Sequence, residues 1–171
     1  KWFPVKTGLL AAISMAGDRK GMAAALNTPE SFPRGPMSPG WGDVALPVDK
    51  LGEGAQYYEY NPAKAKQFLA EAGYPNGFKI HVEGSSSPTL QAVGEVWLIY
   101  LKAIGIEVDF RPDEPTVYQQ GAWIGKYKYD EMGAGCLSGG QEAGEDMFGL
   151  YHSKSPKNVF YIRGDTQLDE M

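Results

Sequence analysis

The chain has 171 residues, 43% hydrophobic and 22% charged, with a formal net charge of -5. That composition can build a globular core and excludes a disordered tail. The acidic balance, with no basic stripe, argues against a nucleic-acid partner. No apolar run approaches the roughly 20 residues that a membrane-spanning helix needs.

Residues 7 to 26 read as one helix, with Leu9, Ile13 and Ala16 at helical spacing and Gly17 and Gly21 interrupting it. Asn27-Thr28-Pro29 ends it. Residues 28 to 60 hold five prolines and five glycines, too many breakers for a regular element. Trp41, Tyr57, Tyr58 and Tyr60 make this an aromatic loop that packs across a surface.

Asn61 is a good N-cap and Pro62 suits the first helical position. Ala65, Phe68, Leu69 and Ala72 then form one apolar face, which Gly73 terminates. Phe78, Ile80 and Val82 alternate with Lys79, His81 and Glu83, which predicts a half-buried strand with His81 facing solvent or pairing. Leu90, Val93, Trp97, Leu101 and Ile104 predict a long helix stopped at Gly105. Ile106, Val108 and Phe110 predict a second strand, 117–125 a shorter helix, and 127–132 a third strand. Residues 133 to 146 are Gly-rich and irregular, and 147–151 reads as a helical turn. Strands alternating with helices imply an α/β fold with parallel pairing and right-handed crossovers.

Catalytic constellations are missing from this pattern. His81 and His152 are the two imidazoles, with no Gly-x-Ser-x-Gly elbow and no His-Glu-x-x-His helix. The Gly133–Gly144 stretch lacks the Gly-Lys-Ser/Thr ending of a phosphate loop. Glu142, Glu145 and Asp146 read as acids at a helix N-terminus rather than metal ligands. The single Cys136 can close no internal disulfide. No enzyme, metal site or cofactor is expected.

The run from Tyr60 to Phe78, Tyr-Asn-Pro-Ala-Lys-Ala-Lys-Gln-Phe-Leu-Ala-Glu-Ala-Gly-Tyr-Pro-Asn-Gly-Phe, resembles the extracellular solute-binding proteins of family 5. These are binding components of ABC importers for dipeptides, oligopeptides and nickel. Ala12–Arg19, Leu101–Val108, and the spaced Asn158, Tyr161 and Leu168-Asp169 resemble further pieces of the family pattern, in the same order. The resemblance implies one lobe of a type II periplasmic-binding-protein fold, with a mainly parallel sheet flanked by helices. It implies that residues 1–171 form a single lobe cut from a longer, two-lobed protein. The remaining partners would be the other lobe, a membrane permease and a small solute held between the lobes. The implied location is periplasmic or extracellular, with the protein either free or lipid-anchored through a preceding N-terminus.

The candidate solute contacts are Cys136, Leu137, Ser138, Gly139 and Gln141 in the loop after the third strand, with Trp41 as a stacking platform and Gln91 early in the long helix. Peptide-binding members typically carry Gly-Trp-x-x-Asp in that loop, whereas Gly135-Cys136-Leu137-Ser138-Gly139 has neither the Trp nor the Asp. An Arg that holds the ligand carboxylate in dipeptide binders is replaced at Gln91 or Ala92. A buried zwitterion needs opposite charges in place of its water, so a neutral polar solute such as an oligosaccharide fits as well as a peptide. A sensory module of the same fold, signalling to a membrane receptor, is the alternative.

Overall fold

The computed structural model describes residues 7–25, 46–121, 132–134, 148–149, 152–155 and 170. Helix α1 (Thr7–Ala16) and helix α2 (Arg19–Ala25) come first. The predicted single helix is therefore two. The break falls at Gly17-Asp18, where Asp18 Oδ1 accepts the Gly21 N–H at 2.9 Å and starts the second helix as a cap. Gly17 also lets the corner approach the six-membered ring of Trp97, since a Cβ there would lie 2.6 Å from that ring.

The predicted loop 28–60 contains two 3-10 segments, Val48–Lys50 and Gly52–Tyr58. A 3-10 turn closes i→i+3 bonds within a few residues, so it survives a glycine density that stops an α-helix. Residues 28–45 of that loop, including Trp41, lie outside the described residues.

Helix α3 (Pro62–Glu71) starts as predicted: Asn61 Oδ1 accepts the Lys64 N–H at 3.0 Å, with Pro62 next in line. Its face of Ala65, Leu69 and Ala72 is buried. Strand β1 (Phe78–Ser85), helix α4 (Pro88–Ala103) and strand β2 (Ile106–Asp113) follow. Helix α5 (Pro115–Gln120) and strand β3 (Met132–Ala134) complete the sheet. The described part of β3 begins at the last residue of the expected 127–132 strand, and residues 127–131 lie outside the described residues.

The sheet order is β2-β1-β3 and both pairings are parallel. Ile80 aligns with Val108 and Val82 with Phe110, so one sheet face is a continuous apolar row. Leu9, Ala12, Met15, Ala65, Leu69, Ile104 and Ile106 pack against it. The clean alternation predicted for β1 fails in its second half. Glu83, Gly84 and Ser85 are buried together with Val82, so both faces are covered there. A central strand of a parallel sheet is normally covered on both sides.

On that second face, charged residues pair across and along the strands. Lys79 Nζ meets Glu107 at 3.0 Å, and Asp109 Oδ2 takes Arg111 at 2.9 Å and His81 Nε2 at 3.3 Å. His81 is thus a pairing residue, one of the two expected roles.

Candidate functional site

In a parallel sheet all C-terminal strand ends fall on one edge. Here that edge carries Ser86 and Ser87 after β1 and Glu114 after β2. The order β2-β1-β3 means that the chain leaves β1 toward one side and crosses back over it to reach the other. Right-handed crossovers in opposite directions require their helices on opposite faces. The burial of Glu83 and Ser85, away from the Ile80 and Val82 face, fits that arrangement. In open α/β sheets such a reversal is where a ligand crevice usually forms, beside the loop that follows the first strand.

The β1 side of the crevice is held by short-range bonds. The Ser86 N–H donates to Asp113 O at 2.7 Å, one step past the strand ladder, and ties the two loops together. Ser85 is buried, and its Oγ accepts the Ser87 N–H at 3.2 Å. The Gln91 N–H donates to Ser87 O at 2.9 Å and opens α4. Ser87 is the N-cap of α4 but makes no side-chain cap bond, and the first turn has no acid. Helix α5 is different: Glu114 Oε2 accepts the N–H groups of Thr116 at 2.9 Å and Val117 at 3.1 Å. Those backbone bonds hold the Glu114 carboxyl below its ordinary 4.5.

The side chains of Ser86, Ser87 and Gln91 make no hydrogen bond among the described residues and are only half-buried. They form a short polar row on this edge. No Lys or Arg occurs in 85–91 or 112–116. Arg111, one residue back, is engaged with Asp109, whose carboxyl is lowered below its ordinary 3.8 mainly by that hydrogen bond.

Of the residues expected to contact solute, Gln91 is therefore placed on this edge. Cys136, Leu137, Ser138, Gly139 and Gln141 lie outside the described residues, as does Trp41. Ser86 and Ser87 were missed in the sequence. The run Ser85-Ser86-Ser87-Pro88 was legible as a helix entry, but only the strand order makes it one wall of a crevice.

His152 belongs to a separate turn, where its ring stacks on Phe148 at 4.5 Å and its Nδ1 accepts the Lys154 N–H at 3.0 Å. A second cleft, of about 340 Å³, lies between the ends of α3 and α4 beside the Tyr74–Gly77 turn. It is at the opposite, N-terminal edge of the strands. Among the described residues no group of His, Cys, Asp and Glu could hold a metal ion. Among the same residues no helix is long and apolar enough to cross a membrane.

This α/β lobe with an open switch-point edge is the architecture of a type II solute-binding protein. Residues 10–160 match the family model for the middle region of bacterial extracellular solute-binding proteins, family 5, and the chain belongs to that family. Members of the family serve ABC importers as binding proteins outside the cytoplasm.

Among curated proteins, haem-binding protein A of Haemophilus influenzae is 33% identical over 95 residues, covering 53% of this chain and 16% of that protein. Among solved structures, the oligopeptide-binding protein AppA of Bacillus subtilis with a nonapeptide superposes with a TM-score of 0.70 at 20% identity, covering 96% of this chain and 34% of that one. The periplasmic binding protein DppA of Helicobacter pylori, in complex with the peptide STSA, gives a TM-score of 0.67 at 25% identity, covering 94% and 30%. The chain thus spans about a third of these solved proteins and a smaller share of the curated relative.

Proposed function

We propose that this chain forms one wall of an interlobe cleft that captures a small polar solute and delivers it to an ABC permease, without chemistry of its own. The supporting observation is the β1 side of the crevice. It offers the side chains of Ser86, Ser87 and Gln91, which have no hydrogen-bond partner among the described residues, and no basic residue between 85 and 91 or between 112 and 116. Such a wall suits hydroxyls and amides better than a free carboxylate, which would need an opposite charge on losing its water. A neutral polar solute, an oligosaccharide or a peptide held through its backbone, matches that chemistry. In this reading Cys136, Leu137, Ser138, Gly139 and Gln141 complete the wall from the β3 side, and Trp41 stacks on the solute. The other lobe supplies the opposing contacts, and closure of the two around the solute forms the species that the permease receives. The protein acts in the periplasm or at the cell exterior.

A thermal-shift screen of the full-length protein against oligosaccharides, peptides and haem tests this reading. A ligand at 100 times its Kd adds about 2.7 kcal/mol of stability. A shift with oligosaccharides or blocked peptides, reduced by Gln91→Ala, supports the polar row. A shift confined to haem, following the relative from Haemophilus influenzae, would replace the solute class. No shift with any of them would overturn the solute classes named here.

A further inference from the structure

The segment that leads from the long Pro/Gly loop into α3 is attached to the lobe in an unusual way. No residue of its two 3-10 turns, Val48–Lys50 and Gly52–Tyr58, is fully buried. Its backbone bonds are largely internal. Lys50 N–H donates to Pro47 O at 2.9 Å, Leu51 N–H to Val48 O at 3.2 Å, Gly54 N–H to Leu51 O at 3.1 Å, and Glu59 N–H to Gln56 O at 3.2 Å. The segment therefore carries its own hydrogen-bonded structure.

The outward attachments converge on one arginine. Arg19 Nη1 donates to Ser14 O at 2.9 Å and to Tyr58 O at 3.3 Å, while its Nη2 donates to Ser14 Oγ at 2.8 Å. Ser14 Oγ in turn donates to Tyr57 O at 2.7 Å. The guanidinium lies 5.3 Å from the centre of the Tyr58 ring. Burial of the guanidinium lowers the Arg19 pKa, and burial of the Tyr58 phenol raises its own. Beyond this knot, the Tyr57 ring leans on Phe68 at 6.1 Å, and Lys64 Nζ meets Gln56 Oε1 at 2.7 Å. The planar fork of arginine is what reaches two carbonyls and a hydroxyl together; a lysine ammonium has no such geometry.

We propose that residues 46–58 form a strap, latched to the α1–α2 corner by Arg19 and Ser14, that opens as a unit while the sheet stays folded. Few buried apolar contacts and a self-contained set of backbone bonds are the physical marks of a sub-global opening unit. Opening uncovers the Phe68 side of α3. It requires no break in β1 or β2, whose ladder bonds are made with each other and with β3.

Hydrogen exchange on the full-length protein tests this. In the unmodified protein, amides of residues 50–59 should exchange faster than those of β1. Arg19→Lys should speed the strap amides about tenfold, equivalent to about 1.4 kcal/mol, with β1 amides unchanged. Ser14→Ala removes the hydroxyl shared by both halves of the latch and should move the same amides in the same direction, should the arginine variant fail to fold. Strap amides that exchange in step with β1, or variants that speed strap and sheet equally, would overturn the proposal.

Discussion

Gly77 and Gly105 meet backbone to backbone, at the two turns that launch β1 and β2. The Phe78 N–H donates to Gly105 O at 3.2 Å, and both glycines have positive φ, 73° and 96°. A Cβ on Gly77 would collide with the Gly105 carbonyl. The start of the parallel pair therefore needs glycine at 77 twice over, for its conformation and for its space.

Gly77→Ala is expected to destabilise the lobe strongly. The left-handed backbone alone costs about 1–3 kcal/mol for a residue with a Cβ, and the displaced carbonyl adds to that. Gly52 is the internal control: its φ is also positive, at 58°, but a Cβ there meets nothing within 4 Å. Gly52→Ala should cost only the conformational part, about 1–2 kcal/mol. Urea midpoints of the two variants measure the difference, and equal losses would refute the carbonyl contact.

The sequence made some of this legible and hid the rest, for physical reasons. Asn61-Pro62 and Gly73 bracket α3 because capping is local chemistry, readable within four residues. The alternation of Phe78, Ile80 and Val82 located β1, but not the burial of Glu83, which depends on what covers the second face. The division of 7–26 into two helices follows from Asp18 as a cap and Trp97 as a neighbour, and the second of these is 80 positions away along the chain. The site was legible to the extent that loops after parallel strands bind ligands. That Ser86 and Ser87 follow the central strand, where the strand order reverses, required the order β2-β1-β3, which no local pattern encodes.

The approach of Trp97 to Gly17 predicts a specific coupling. Gly17→Ala puts a methyl 2.6 Å from Trp97 Cη2 and should destabilise, because the neighbour is a rigid ring rather than a flexible chain end. In a Trp97→Leu background the same Gly17→Ala change meets no ring and should cost much less. A double-mutant cycle should give a coupling on the order of 1–3 kcal/mol. Additive losses would show that the corner relaxes without involving the ring.

Burial ranks two apolar residues in opposite ways. Leu69 is 1% exposed within the cluster of Met15, Ala65 and Ile104, whereas Ile99 is 68% exposed on α4. Leu69→Ala should cost about 2–5 kcal/mol through lost burial and the cavity left behind. Ile99→Ala should fall within about 0.5 kcal/mol of the parent, as surface changes do. Thermal and urea unfolding of the full-length protein measure both. A large loss at Ile99 would mean that another part of the full-length protein covers this face of α4.

The cap on α5 makes one contribution to stability depend on acid. Glu114 accepts two backbone N–H bonds more strongly as a carboxylate than as a neutral acid, and those bonds lower its folded pKa below the ordinary 4.5. A depressed folded value means that the stabilisation is complete above 4.5 and is lost as pH falls through the folded value. Glu114→Gln keeps a neutral acceptor for the cap but has no proton to gain. Stability at neutral pH should therefore drop in the variant, while its decline on acidification becomes shallower than that of the parent. Carbon-detected NMR titration of the Glu114 carboxyl gives the folded pKa directly, and a midpoint at or above 4.5 would contradict the cap. The same titration reports Asp109, where Arg111→Gln should bring the carboxyl back up toward its ordinary 3.8, because the hydrogen bond from Arg111 is the main cause of its depression.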